Sequence, residues 1–229
     1  METNLLDGSL NPVNIARVMK HNHDFLKSHP NYFKPEGLLI FCGEQGSGKT
    51  LSAVQYVRKL CDEYPRAILC TNVQIEGLNP DTQVIEYDGL NCLKNIENGY
   101  YGVIYLIDEI HLEFNSLESK NIDIEVMVEV SQQRKQRKHI IGTSQVYGRL
   151  AKPFREQIRN VVLCANFCKI LQINTLIDGS KSTEKDGHLV TDTVKKFYWF
   201  HNPDLYDSYD TYAKMKRYKK EWNGRKLSL

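Results

Sequence analysis

The sequence predicts an α/β fold with a mainly parallel central sheet and helices on both faces. Three observations predict it. Short apolar runs of strand length alternate with segments of helical spacing, and the links between them are short. One apolar run stops at a glycine-rich turn that opens directly onto a helical pattern. Beyond Lys169 the alternation gives way to two strand-like runs around a polar loop, which reads as an antiparallel hairpin added to the sheet edge. With 229 residues, 41% of them hydrophobic and 25% charged, the chain suits one globular unit with a sizeable core.

In chain order, residues 1–35 form a lead segment. A short helix is expected around Ile15–Leu26, and Pro30 and Pro35 bracket an extended approach to the first strand. The core, residues 36–169, opens with the buried-strand run Leu38–Cys42. Leu51, Val54, Val57, Leu60 and Cys61 then recur at helical spacing. Ala67–Val73 is a second strand ending near Gly77, and Gln83–Tyr87 a third. A short helix carrying Leu90, Leu93 and Ile96 follows, then the strongly apolar strand Gly102–Ile107. Ile122–Lys138 reads as a helix, apolar first and basic at its end. His139–Thr143 and Asn160–Cys164 are strands around a helix near Pro153–Ile158. Residues 170–229 carry the hairpin strands Ile170–Ile177 and Val194–Phe200 and a tail that mixes Tyr206, Tyr209, Tyr212, Tyr218 and Trp222 with basic residues.

Composition excludes several function classes. A net charge of +2 offers no global attraction for nucleic acid, although Arg134–Lys138 and Lys214–Lys220 are local basic clusters. Each is either a solvated face or a polyanion contact. No apolar run approaches the length of a membrane span, and METNLLDGSL lacks the basic and apolar regions of a signal peptide, so a cytoplasmic protein is expected. Six cysteines without a C-x-x-C pair read as buried, reduced thiols.

The glycine-rich turn carries the chemistry. GEQGSGKT, Gly43 to Thr50, matches G-x-x-x-x-G-K-[ST], a pattern that chance would place in a chain this long on the order of one time in a hundred. Strand, glycine loop and helix form the setting in which that pattern binds phosphate. Residues without side chains let successive backbone N–H groups converge on phosphate oxygens, and the helix N-terminus adds partial positive charge. The expected nucleotide site is Gly43, Glu44, Gln45, Gly46, Ser47, Gly48, Lys49, Thr50 and Leu51. Lys49 reaches the β and γ phosphates of ATP, and the Thr50 hydroxyl ligates Mg²⁺.

The strand Gly102–Ile107 runs straight into Asp108-Glu109. Downstream of a phosphate loop, that pair completes an ATPase site. Asp108 holds the Mg²⁺ shell, and Glu109 serves as general base towards the attacking water. Thr143-Ser-Gln145 closes the strand that begins at His139, and a polar residue there either sits beside the γ-phosphate and reports its presence or belongs to an ordinary strand-end turn. Arg134, Arg137, Arg149, Arg155 and Arg159 surround this region, and a ring ATPase can use such an arginine on a neighbour's γ-phosphate. Chemistry alone does not choose among them.

The order GEQGSGKT, AILCTNVQIEGL, VIYLIDEIHLEF, RKQRKHIIGTSQVYGRLAKPFREQI and FYWFHNPDLYDSYDT resembles the zonula occludens toxin and filamentous phage assembly ATPases, within the FtsK/HerA group of DNA-pumping P-loop ATPases. The likeness covers about residues 36 to 212. It implies a RecA-like core with Walker A and Walker B motifs, a Gln145 sensor and a role in moving a phage or mobile-element genome. By position upstream of Gln145, Arg134 resembles the arginine of this group, with Arg137 as the second choice. The partners implied are DNA, further copies of the chain in a ring, and a capsid, portal or assembly protein. Assembly proteins of this type usually carry a membrane segment after the ATPase domain and little sequence before the phosphate loop. This sequence departs on both counts, which favours a soluble packaging motor or a truncated or differently anchored relative.

Two other readings compete. Asp108-Glu-Ile-His111 spells a DExH box, but a helicase needs a second RecA-like domain and only about 118 residues follow His111. A non-catalytic, nucleotide-dependent scaffold would keep Lys49 without requiring Glu109.

Overall fold

The computed structural model describes residues 12–116, 123–179, 183–185, 188–190 and 193–210. The chain divides into two compact units, Met1–Tyr32 and Phe33–Leu229. In the first, helix α1 spans Pro12–Ser28 and its end is closed by the Phe25 ring stacked on His29 at 4.4 Å.

The second unit is built on one eight-stranded sheet. Its chain order is β1 (Gly37–Cys42), α2 (Lys49–Glu63), β2 (Ile68–Thr71), β3 (Gln74–Ile75), β4 (Gln83–Glu86), α3 (Asn91–Asn95) and β5 (Val103–Ile107). It continues with α4 (Ile124–Gln132), β6 (Lys138–Ser144), α5 (Lys152–Arg155), β7 (Ile158–Phe167) and β8 (Leu171–Asp178). Then come β9 (Thr183–Lys185), β10 (His188–Val190), β11 (Thr193–Phe200), α6 (Pro203–Asp207) and β12 (Tyr209–Asp210). The sheet order is β11-β8-β7-β1-β6-β5-β2-β4. Strands β7, β1, β6, β5, β2 and β4 pair parallel, whereas β8 and β11 add antiparallel at the β7 edge. This is the expected RecA-like arrangement, with β6 inserted between the phosphate-loop strand and the strand that ends in Asp108-Glu109.

Every residue of β5 and β6 is buried, as all-parallel central strands must be when both sheet faces are covered. One face packs Cys92 and Leu93 of α3, Val126 and Val130 of α4 and Phe154 of α5 over Tyr105 and Ile140. The other packs Leu51, Val54, Val57 and Leu60 of α2 over Leu39, Leu69 and Ile104. The spacing of the α2 residues is what puts them on one stripe.

Four local expectations are corrected. The second strand stops at Thr71 rather than running to Val73, because Asn72 turns its side chain to the backbone of Asp108 and the chain restarts as β3, paired with β12. The expected helix to Lys138 ends at Gln132. Lys138 belongs to β6, is 1% exposed, and donates to Leu93 O at 2.7 Å and Glu129 at 3.1 Å, so it is no part of a solvated basic face. The helix placed near Pro153–Ile158 stops at Arg155, and Ile158 already begins β7. The polar loop of the hairpin contains a small hairpin of its own, β9 with β10. Five of the six cysteines are buried and Cys168 is exposed. Tyr212, Tyr218, Trp222 and the cluster Lys214–Lys220 lie outside the described residues.

His139 ties α2 to the sheet. Its Nδ1 lies 2.9 Å from Gly37 O and its Nε2 3.1 Å from the Tyr56 hydroxyl, so a neutral ring with Nδ1–H satisfies both. Burial lowers its pKa from 6.5 to about 4, the bond to Gly37 O acting in the opposite direction. Below pH 6.5 the unfolded chain therefore binds a proton that the folded chain refuses, and stability falls as pH drops towards 4. The full loss is about 3 kcal/mol. Urea unfolding between pH 7 and pH 4 should show His139→Phe starting less stable than wild type but with a shallower pH slope. Parallel slopes would assign the acid sensitivity elsewhere.

Candidate active site

The site lies where the parallel strands end, at their carboxyl edge, the usual place for ligands in open α/β sheets. Between β1 and α2 the chain turns through Gly43, Gly46 and Gly48, with φ of 153°, 80° and 82°. Gly43 and Gly48 cannot be replaced without a clash. A Cβ on Gly43 would come within 2.6 Å of Cys164 O, and one on Gly48 would collide with the Gln172 carboxamide. Gly48, left-handed, caps α2 and starts its ladder, accepting from Ser52 N at 2.9 Å. Lys49, first residue of α2, donates to Glu44 O at 2.8 Å across the loop. Burial lowers the Lys49 pKa, while Cys164, Asp108, Cys42 and Glu109 act to raise it.

Asp108 and Glu109 follow β5 directly and are half-buried. The Asp108 carboxylate accepts from Thr50 Oγ1 at 2.9 Å and from Thr143 Oγ1 at 2.6 Å, both on Oδ1. Its backbone N–H donates to Asn72 Oδ1 at 2.8 Å, and Asn72 Nδ2 returns a bond to Asp108 O at 3.1 Å. Glu109 has a φ of 52°, an uncommon left-handed conformation for this residue type. Its N–H is held by Thr143 Oγ1 at 2.8 Å. Thus α2, β2, β5 and β6 converge on two adjacent acids.

Gln145 stands one residue past β6, half-buried, between the ends of the phosphate-loop strand and the acidic strand. Arg134 and Arg137 are elsewhere. Both precede Lys138, the first residue of β6, so about 20 Å of strand separates them from the Gln145 end. Arg134 Nε pairs with Glu36 at 2.8 Å, just before β1, and the Arg137 guanidinium lies 5.0 Å over the Tyr100 ring. Neither reaches the phosphate loop of its own chain.

The residues fit a triphosphate and a magnesium ion. Ser47 Oγ is buried in the phosphate loop without a hydrogen-bond partner, and the glycine cradle cannot admit a Cβ at Gly43 or Gly48. Thr50 Oγ1 and Asp108 Oδ1 are hard oxygen donors side by side. Among the described residues no group of three or more His, Cys, Asp or Glu could hold a metal ion. One hydroxyl and one carboxylate suit Mg²⁺, which binds through few protein oxygens together with phosphates and water.

Four contributors carry no motif. In the sequence Thr143 is one of three polar residues closing a strand, with no part of its own assigned, yet its hydroxyl donates to Asp108 Oδ1 and accepts from the Glu109 N–H. Asn72 belongs to the resemblance without a role attached. Gln172, wholly buried in β8, donates to Ser47 O at 3.0 Å, and Asn166 of β7 donates to Gly46 O. The signal available was polarity: each is an amide or hydroxyl set in an apolar strand or at its end.

No protein-family model matches the sequence, and no curated protein matches it. Among solved structures, the chain is similar to the N-terminal domain of zonular occludens toxin from Neisseria meningitidis. The identity is 18%, covering 77% of this chain and 100% of that one, with a TM-score of 0.53. Genome packaging NTPase B204 from Sulfolobus turreted icosahedral virus 2, in complex with ATP-gammaS, gives 10% identity over 74% and 98%, with a TM-score of 0.49. The DNA-packaging ATPase B204 from Sulfolobus turreted icosahedral virus gives 13% over 58% and 77%, at 0.43. The fold is that of the zonular occludens toxin domain, as the resemblance implied. Among the described residues no helix is long and apolar enough to cross a membrane.

Thr143→Val keeps the side-chain shape but removes the bridge, taking away the Asp108 bond and the hydroxyl that accepts from the Glu109 N–H. A loss of about 1–3 kcal/mol is expected. Thr143→Ser should recover most of it. Both are read by urea titration without nucleotide, and a Val variant as stable as wild type would show that the bridge does not hold the acids.

Proposed function

We propose that the chain is a Mg²⁺-dependent ATPase that moves DNA in phage or viral genome packaging, or in virion assembly and export. The observation that carries the enzymatic reading is the junction of Thr50, Asp108, Thr143 and Glu109 at the mouth of the phosphate loop. The DNA-moving role rests on the sequence resemblance.

Loop N–H groups and Lys49 would bind the β and γ phosphates of ATP, Lys49 exchanging the Glu44 carbonyl for phosphate oxygen. Thr50 and Asp108 would hold Mg²⁺, which would supply neutralisation of phosphate charge. Glu109 accepts a proton from the attacking water. The water oxygen bonds to the γ-phosphorus, the bond to the β–γ bridging oxygen breaks, and ADP leaves with that oxygen. Gln145, between the two halves of the site, would register whether the γ-phosphate is present. DNA and further copies of the chain are the proposed partners.

Arg134, or second Arg137, is proposed to act on a neighbouring subunit's γ-phosphate in a ring. Its position at the opposite sheet edge from its own loop supports a trans role over a cis one. Mixing two inactive variants, Arg134→Ala and Lys49→Ala, should restore part of the activity, because some interfaces then pair an intact loop with an intact arginine. No restoration, for Arg134 or for Arg137, in subunits shown to exchange, would count heavily against an arginine acting in trans within a ring.

The enzymatic reading is tested by Glu109→Gln, which keeps shape but cannot take the proton. Turnover should fall by about 10²-fold or more while ATP binding persists. DNA should stimulate wild-type hydrolysis without strand separation. Equal turnover in the variant would leave a nucleotide-dependent scaffold.

A further inference from the structure

The phosphate loop opens into a cleft of about 300 Å³ whose lining continues past Gly48 and Lys49 to His201, Tyr206 and Tyr209. The acids and Gln145 lie on the β6–β5 side of β1, whereas β7 and β8 flank the other side. A triphosphate whose γ end faces Glu109 therefore sends its nucleoside end towards β7, β8 and the segment that follows β11. Tyr206 of α6 lines the cleft there and is 43% exposed.

This ring is built in rather than loosely presented. Its hydroxyl is shared between Lys169 O, at 3.1 Å, and His201 Nδ1. His201 Nε2 lies 3.0 Å from Gln172 Oε1. The Gln172 amide nitrogen already donates to Ser47 O and to Asn174 Oδ1, so Oε1 is the acceptor and His201 carries its proton on Nε2. The His201 ring is itself packed 5.2 Å from Trp199 and meets Tyr206 edge-on at 5.6 Å. A chain of side chains thus runs from the phosphate-loop carbonyl to the Tyr206 hydroxyl and fixes the ring at one edge of the cleft.

We propose that the Tyr206 ring is the platform on which the base of the bound nucleoside triphosphate stacks, with His201 as the residue that positions it. This rests on the nucleotide-binding reading above. An aromatic face held by its edge loses little side-chain freedom when a base lands on it, so stacking contributes to affinity nearly undiminished. It also tolerates any base, because every base offers a π-face.

The test compares ATP with inorganic tripolyphosphate, each with Mg²⁺, by calorimetric titration of wild type, Tyr206→Ala and Tyr206→Phe. Tyr206→Ala should weaken ATP about 5- to 150-fold. Tripolyphosphate, which has no base, should bind the Ala variant as it binds wild type, and Tyr206→Phe should retain most of the ATP affinity. Equal losses for both ligands would make Tyr206 a prop for the phosphate loop and overturn the proposal, as would undiminished ATP binding in the Ala variant. Wild-type protein that binds neither ligand would instead overturn the nucleotide reading itself.

Discussion

One carboxylate oxygen organises the second unit of this chain. Asp108 Oδ1 accepts from Thr50, at the start of α2, and from Thr143, near the end of β6. The backbone of the same residue exchanges two bonds with Asn72, just past β2. A half-buried acid needs such partners, since a carboxylate taken from water without them is costly. Their supply requires three strands and a helix to end at one point. The parallel order β1-β6-β5-β2 delivers them, because each strand in it terminates on the same edge of the sheet.

The remaining geometry follows from that convergence. Thr143 can serve Asp108 and the Glu109 N–H together only if the chain turns sharply after β5, and the left-handed φ of Glu109 is that turn. Gly142, beside Thr143, must lack a side chain, since a Cβ there would come within 2.7 Å of Ile110. Phe114, stacked on Phe154 at 4.0 Å, then anchors the segment leaving the acids against α5. On the opposite flank the antiparallel addition braces the phosphate loop: Gln172 fills the space that a Gly48 side chain would need and holds Ser47 O. The hairpin is therefore part of the loop's support as well as an extension of the sheet.

The sequence was legible where the physics is local. A phosphate loop needs glycines at fixed spacing, and an acidic strand end needs an apolar run before it, so both were readable without a structure. The eight strands of the main sheet and its antiparallel edge were readable from period and composition, whereas the short strands β3, β9, β10 and β12 were not. Positions that depend on contacts across the fold were not. Lys138 looks like the end of a basic run, yet Glu129 and the Leu93 carbonyl hold it in the core. Thr143, Gln172 and His201 act through partners 35, 125 and 29 residues away in the chain, distances at which no window of sequence carries a signal. The break after Thr71 depended on the same kind of pairing, through Asn72.

The two ends of β6 now acquire different meanings. Its carboxyl end leads into Gln145, beside the ends of β1 and β5, and its amino end follows the turn that carries Arg134 and Arg137. A fully buried strand flanked on both sides by parallel neighbours is among the stiffest elements of a fold, so the two ends cannot shift independently. In the proposed ring, a displacement of Gln145 on loss of the γ-phosphate would reach the next subunit's site through this strand rather than through a flexible loop. The Arg134–Glu36 ion pair sits at that amino end with both side chains exposed, where an ion pair contributes little to stability. Exchanging Glu36 for a phosphate would therefore cost the fold little, as an arginine that alternates between its own subunit and a neighbour's nucleotide requires.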